Sequence, residues 1–362
     1  MRIVIAGGGT GGHLFPGIAV AEEWIRRSSQ NRVLFVGTQR GIEHRVLGNL
    51  SYDLKEIDVE GLKGRGVQAL MKGLYRVPKS MLQSRSILAS FDPDVVLGVG
   101  GYASGPAVLV AWMMGIPTAI AEQNAVAGNT NRILGKFVNR IFLTYEQSRT
   151  PFTSAKVEVT GNPVRAAFVS GLERTTQKRA GKRILVFGGS QGAAAINSAM
   201  VEMLPWLAKR KDNIFVVHQT GTQDLEVTKQ AYQRHRVSAD IRPFIENMAS
   251  AYADSDLILC RAGATSLAEI TAAGKASILI PYPFAANDHQ TLNARAMVEA
   301  GAAVMIPQRD LTAEKLFSVI DDLLEDDQKL REMALKAKKL GRPDAAAQMV
   351  DACLQLAKTK RK

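Results

Sequence analysis

One pattern occurs twice in this chain, half a chain apart. Arg2-Ile-Val-Ile-Ala-Gly-Gly-Gly-Thr-Gly-Gly12 returns as Arg183-Ile-Leu-Val-Phe-Gly-Gly-Ser-Gln-Gly-Ala193. Further along each half comes a second echo, Asp92-Pro-Asp-Val-Val-Leu-Gly-Val-Gly-Gly101 and Asp254-Ser-Asp-Leu-Ile-Leu-Cys-Arg-Ala-Gly263. Each half therefore opens with an apolar strand and a glycine turn, then repeats a strand–glycine–helix unit. Short Val/Ile/Leu runs alternating with helical patterns imply parallel sheets covered on both faces. The 362 residues exceed the roughly 250–300 at which a single core stops growing. Two Rossmann-like, doubly wound α/β domains are expected, with their strand ends facing a cleft.

Turn-forming clusters set the boundaries. Gly161-Asn-Pro163 closes a first domain, 1–163, and a second runs over 164–340. Gly341-Arg-Pro-Asp344 then breaks the chain before a last helix and basic tail, 341–362, expected to pack back on the first domain. Met349, Ala352, Cys353 and Leu356 form one apolar stripe on that helix. The tail Lys358-Thr-Lys-Arg-Lys362 reads as solvated charge.

Composition removes several classes. Hydrophobic residues at 46% and charged residues at 22% are ordinary for a globular chain and exclude disorder over most of it. Cys260 and Cys353 are too few for a disulfide framework, and an intracellular chain is the simplest reading. Met1–Ala6 is too short for a signal-peptide core. The uncharged stretch from Val95 to Ala121 could span a bilayer, which takes about 20 residues. Its glycines (Gly98, Gly100, Gly101, Gly105, Gly115) and Pro106 and Pro117 parse better as strand, turn, helix, turn, strand. The net charge of +12 favours an anionic partner. An aromatic content of 6% and the lack of any nucleic-acid-binding motif argue against RNA or DNA.

Gly7-Gly-Gly-Thr-Gly-Gly12 satisfies the dinucleotide fingerprint G-x-G-x-x-G. That site also wants an acid at the end of the second strand to bind ribose. Here Arg32–Gln39 is followed by no acid until Glu43, so a nicotinamide oxidoreductase is disfavoured. The glycines still let a ligand approach the backbone, with helix amides aimed at it. Gly188-Gly-Ser-Gln-Gly192 forms an equivalent anion site. His13, where the first loop becomes a helix, is the candidate general base. Ser266-Leu-Ala-Glu269 reads as a capping box whose carboxylate could alternatively bind a ribose diol. Asp92-Pro-Asp94 and Asp254-Ser-Asp256 precede their strands and read as turns rather than metal sites. No His/Cys cluster has zinc spacing, so no metal is expected.

Seven segments occur in order: Ala6-Gly-Gly-Gly-Thr-Gly-Gly-His-Leu-Phe-Pro16, Gly100-Gly-Tyr-Ala-Ser-Gly-Pro106, Glu122-Gln-Asn124, Gly161-Asn-Pro-Val-Arg165, Gly188-Gly-Ser-Gln-Gly192, Cys260-Arg-Ala-Gly263 and Asp288-His-Gln290. Together they closely resemble the MurG family of bacterial peptidoglycan N-acetylglucosaminyltransferases. The resemblance implies a GT-B architecture, with the donor held mainly by the second domain. It implies inverting transfer of GlcNAc from UDP-GlcNAc to the C4 hydroxyl of MurNAc in lipid I, giving lipid II, without cofactor. It places Thr10, Gly11 and Gly12 at the donor–acceptor cleft and Asn124 and Gln290 on the donor sugar. Arg165 and Ser190 fall near the diphosphate, and backbone at Phe244-Ile245 reads uracil. Ala264, Thr265, Ser266, Leu267, Ala268 and Glu269 supply phosphate and ribose contacts. Many relatives carry His before Glu-Gln-Asn, where this chain has Ala121, which favours His13 as base. Rivals are a diacylglycerol or sterol glycosyltransferase of the same fold and a UDP-GlcNAc 2-epimerase.

Between Gly61 and Phe91 lie Lys63, Arg65, Lys72, Arg76, Lys79 and Arg85 with no acid, interleaved with Leu70, Met71, Leu74, Tyr75, Val77 and Met81. Such a mixture suits an interfacial segment meeting anionic headgroups. The plainer alternative is an amphipathic helix packed on the first domain and broken near Pro78. With the resemblance, Lys72, Arg76 and Lys79 are expected to face the anionic cytoplasmic leaflet of the bacterial inner membrane, as in a peripheral enzyme of cell-wall synthesis.

Overall fold

In the computed structural model, residues 1–38, 43–59, 66–170, 181–189, 192–210 and 213–360 are described, without the side chains of 45, 49, 66–76, 170 and 360. The chain divides into two units, Met1–Arg165 with Arg342–Lys362, and Ala166–Gly341. In the first, strands β1 (Arg2–Ala6), β2 (Arg32–Thr38), β3 (Asp53–Ile57), β4 (Val95–Gly98), β5 (Thr118–Glu122), β6 (Arg140–Leu143) and β7 (Val157–Val159) alternate with helices. These are α1 (Gly11–Arg27), α2 (Glu43–Asn49), α3 (Gly66–Phe91), α4 (Ser104–Met113) and α5 (Asn129–Leu134). The second unit holds α6 (Ala166–Ser170), β8 (Lys182–Phe187), α7 (Ala194–Leu207), β9 (Ile214–Gln219), α8 (Leu225–Arg234), β10 (Ala239–Arg242) and α9 (Met248–Asp254). It continues with β11 (Leu257–Cys260), α10 (Ala264–Ala273), β12 (Ala276–Leu279), α11 (His289–Glu299), β13 (Ala303–Met305), α12 (Ala313–Glu325) and α13 (Asp327–Leu340). A last helix, α14 (Ala345–Lys360), belongs to the first unit.

Both sheets are parallel, ordered β3-β2-β1-β4-β5-β6-β7 and β10-β9-β8-β11-β12-β13. The repeat in the sequence thus becomes a repeat in topology. In each sheet the strand order reverses beside the first strand, between β1 and β4 and between β8 and β11. Central strands bury both faces, which is why their apolar runs are unbroken. Ile3 and Ile5 enter the core on one side of the first sheet, and Val4 and Ala6 enter the core on the other. Ile184 and Val186 alternate with Leu185 and Phe187 in the same way in the second.

Helix α14 packs on α1. Its stripe of Met349, Ala352 and Cys353 is buried in the core that also holds Trp24 and Phe142, and Leu356 packs against that core. Full burial of such an aliphatic side chain is worth roughly 1.5–3 kcal/mol, so the helix is integral to this unit. Helix α3 runs through Pro78 without ending, unlike the broken helix of the plainer alternative. Val95 to Ala121 forms β4, α4 and β5, and among the described residues no helix is long and apolar enough to cross a membrane.

Candidate active site

Ligands of open parallel sheets sit outside the carboxyl ends of the strands where the order reverses. In the first unit this point joins the loop after β1 to the loop after β4. Gly101 has φ 79°, and a Cβ there would overlap the Gly8 carbonyl, so the two glycine loops touch backbone to backbone. Helix α1 begins at Gly11 with Thr10 at the extended N-cap, and Thr10 and Gly12 are exposed. His13 is half-buried in this first turn. Its ring lies against Gly100, where a Cβ would fall 2.6 Å from His13 Nδ1. The Arg165 guanidinium stacks 4.4 Å above the ring of Phe15, two residues on.

Glu43 was legible only as a late acid, and the structure turns it inward. Its side chain is buried, and Oε1 accepts a hydrogen bond from the Gly9 amide at 2.6 Å. The residue nearest to a ribose-binding acid is therefore spent inside the loop, and one loop amide already holds a carboxylate. This arrangement does not suit a dinucleotide pyrophosphate.

After β5, Glu122 organises the next loop. Its Oε1 accepts from the Asn124 amide at 3.1 Å and the Asn124 carboxamide at 3.3 Å; Oε2 accepts from Gly128 N at 2.9 Å and Asn131 Nδ2 at 2.8 Å. Gln123 donates to the Val99 carbonyl at 3.0 Å, pinning this loop beside the glycine turn. Asn124 is thereby presented half-buried, while Ala121 is buried in the core.

In the second unit, β8 leads into Gly188 and Gly189, and Ser190 lies outside the described residues. Gly192 has φ 79°, and a Cβ would overlap the Thr220 carbonyl, so the loop rests on the end of β9. There Gln219, buried, donates through Nε2 to the Gly189 carbonyl at 2.7 Å and accepts the Ile245 amide on Oε1 at 2.8 Å. Behind it, Asn197 donates to Thr220 O and Asp224 Oδ2, so its own oxygen accepts from His218 Nε2 at 3.0 Å. His218 Nδ1 then accepts from the Tyr232 hydroxyl at 3.3 Å. Burial pushes the His218 pKa down to about 3, which keeps the ring neutral.

Helix α10 starts at Ala264, with Gly263 as its N-cap and no side-chain cap. Ser266 therefore sits inside the first turn and Glu269 in the second, so the capping box read from the sequence does not form. Instead the buried Glu269 carboxylate accepts from the Tyr252 hydroxyl at 3.2 Å. Ala264 and Thr265 are buried and Ser266 and Ala268 half-buried; the Leu267 side chain belongs to the core, leaving only its backbone to offer. Gln290 follows a turn in which Asn287 and Asp288 both take left-handed φ, a strained pair of the kind found near functional sites. Its Oε1 accepts the Tyr282 amide at 2.9 Å, which orients the carboxamide.

The paired aspartates serve strand starts. Asp94 Oδ2 accepts Arg2 N at 2.8 Å, and Asp256 Oδ2 accepts Arg183 N at 2.7 Å. Both lie at the sheet edge opposite the glycine loops. Among the described residues no three His, Cys, Asp or Glu gather as a metal site would. The two cysteines are buried free thiols, and burial raises both their pKa values. On α3, the side chains of Lys72 and Arg76 lie outside the described residues. Lys79 is held by Asp58 Oδ2 at 2.8 Å, so its charge is partly neutralised. The sequence missed Gln219 and Tyr252, because their partners lie remote along the chain; it missed the anchoring role of Glu122, whose partners Asn124, Gly128 and Asn131 are near in sequence but carry no recognisable pattern.

Residues 3–143 match the glycosyltransferase family 28 N-terminal domain, and 183–349 match the glycosyltransferase family 28 C-terminal domain. The chain is 54% identical to the UDP-N-acetylglucosamine--N-acetylmuramyl-(pentapeptide) pyrophosphoryl-undecaprenol N-acetylglucosamine transferase of Syntrophus aciditrophicus, over 98% of this chain and 99% of that one. It is 50% identical to the protein of the same name from Myxococcus xanthus, over 98% and 93%. Its fold is similar to the crystal structure of Acinetobacter baumannii MurG, with a TM-score of 0.77 and 32% identity, over 98% of this chain and 99% of that one.

Proposed function

The chain belongs to glycosyltransferase family 28 and has the GT-B fold, and on that premise we propose how its residues divide the work. The enzyme transfers GlcNAc from UDP-GlcNAc to the C4 hydroxyl of MurNAc in undecaprenyl-pyrophosphoryl-MurNAc-pentapeptide, forming lipid II for the cell wall. The observation that carries this reading is the likeness, running through both units, to transferases of that name. The acceptor oxygen attacks the anomeric carbon, its bond to the departing UDP breaks, and the configuration inverts from α to β. His13, at the first turn of α1, takes the hydroxyl proton. The amides opening α10 at Ala264 and Thr265, with Ser190 and Arg165, meet the negative charge that grows on UDP. Glu269, oriented by Tyr252, binds the ribose diol. Backbone at Phe244 and Ile245, a segment held by the bond of the Ile245 amide to Gln219, reads uracil. Asn124 and Gln290 address the GlcNAc. No step in this scheme needs a metal or cofactor.

The enzyme acts peripherally on the cytoplasmic face of the inner membrane, where the basic, apolar α3 meets anionic lipid. The test is product analysis with UDP-GlcNAc and a short-chain lipid I analogue, set against a diacylglycerol. The disaccharide product with UDP release is expected. Glucosaminylated diacylglycerol, or isomerised donor without acceptor, overturns the assignment. His13→Ala is expected to keep UDP affinity and lower kcat by roughly 10²–10⁴-fold. Near-normal turnover at saturating acceptor removes His13 as the base.

A further inference from the structure

Glu43, the first residue of α2, is wholly buried, and the scheme above gives it no part. Its Oε1 accepts the Gly9 amide at 2.6 Å, while Oε2 meets no hydrogen-bond donor among the described residues. A carboxylate left half-satisfied in the interior costs stability, and an apolar side chain of similar volume would cost less. Its value therefore lies in what it holds, the first glycine loop. A Cβ on Gly8 would overlap Glu43 Oε1, so only glycine lets the carboxylate reach the loop. Gly9 takes φ 85°, and the next residue, Thr10, is the N-cap of α1, whose carbonyl accepts the His13 amide at 3.2 Å. The loop also interlocks with the turn after β4: a Cβ on Gly7 would overlap the Gly100 carbonyl, and one on Gly101 the Gly8 carbonyl. Gly100 in turn lies against the His13 ring. Glu43 thus bears on His13 by two routes, the backbone through Thr10 and the ring through Gly100.

We propose that Glu43 is a positioning residue: by anchoring the Gly9 amide it fixes the backbone from which His13 reaches the acceptor hydroxyl. The proposal rests on the reading of His13 as the base. The charge matters because a carboxylate holds an amide more strongly than a neutral acceptor does. Gly9 is exposed, so without Glu43 its amide turns to water, and a glycine so released is free to leave its left-handed φ. The loop would then drift, and His13 with it, although the rest of the sheet keeps its core.

The experiment is a double-mutant cycle on kcat in the full chain, with UDP-GlcNAc and a soluble lipid I analogue. It uses Glu43→Leu, His13→Ala and the two together, with thermal unfolding and UDP titration of each. Glu43→Leu is expected to lower kcat about a hundredfold, the scale of a displacement of about 1 Å, with the UDP Kd changed by less than about twofold. Its Tm is expected to stay or rise, since a half-satisfied buried carboxylate is removed. In the His13→Ala background the same substitution is expected to cost less than about threefold, because a residue that acts through another falls silent once the other is gone. A merely structural role gives equal losses with and without His13, and that result overturns the proposal, as does near-normal kcat in Glu43→Leu. If Glu43→Leu does not fold, Glu43→Asp takes its place in the cycle under the same criteria. It keeps the charge but draws it back from Gly9 by one methylene. Failure of the base reading is seen separately, as near-normal turnover of His13→Ala alone, and it takes the proposal with it.

Discussion

His218 makes the second unit sensitive to acid in a way that can be worked out in advance. The ring is fully buried, with Nε2 donating to Asn197 and Nδ1 accepting from Tyr232. A second proton would have to enter at Nδ1, against the Tyr232 hydroxyl and without water. Its folded pKa is about 3, against an ordinary 6.5. A histidine depressed in this way stabilises the fold fully above the unfolded value and loses that contribution as pH falls, because only the unfolded ring takes up the proton. Between pH 7 and pH 5 the loss is about 2 kcal/mol, and each further unit costs about 1.4 kcal/mol until about pH 3. The assay is urea unfolding at pH 7 and pH 5, read by hydrogen exchange at β8 and β9, for the unsubstituted protein and His218→Gln. Carboxylates contribute the same slope to both, so the difference isolates the ring. His218→Gln is expected to lose about 2 kcal/mol less over this interval. An equal loss in the two proteins refutes the reasoning.

Other perturbations address the site. Tyr252→Phe keeps the edge-on packing against Phe168 at 5.3 Å but removes the bond to Glu269. The donor KM is expected to rise by up to about tenfold with kcat little changed, checked by initial-rate kinetics. Gly100→Ala adds a Cβ 2.6 Å from His13 Nδ1 at φ 90°. Displacing the ring is expected to cost about a hundredfold in single-turnover rate while UDP titration stays as before; retained turnover would separate the ring position from the chemistry. Charge reversal at Lys72, Arg76 and Lys79 is expected to release the protein from anionic vesicles, at about 1 kcal/mol per basic residue near the surface. Lys79 should contribute least, because Asp58 holds it. Co-sedimentation indifferent to the reversal and to salt would reject this face.

What the sequence made legible was what local chemistry dictates. Strands such as Arg2–Ala6 and Arg183–Phe187 announce themselves because both faces are buried, and the glycine turns follow from the close approach of two loops. Ser266-Leu-Ala-Glu269 misled because a box pattern marks a helix start only when the backbone turns there. The chain turned earlier, at Gly263, and left the glutamate to a tyrosine on another helix. Pro78 does not break α3, because one lost hydrogen bond does not end a long helix packed along a domain. Glu43 and Gln219 were silent because each bonds to backbone of a loop far along the chain, and no local pattern encodes that.

The return of α14 to the first unit has a consequence for the order of synthesis. The second unit is contiguous, Ala166–Gly341, and can complete its core while the polypeptide is still being made. The first unit cannot: Met349, Val350 and Cys353 belong to the core begun by Ile3 and Trp24. At about 5–20 residues per second, that helix arrives on the order of ten to forty seconds after Arg165. For that interval the apolar face of α1 stands open on the ribosome, so the part of the enzyme made first is the part finished last.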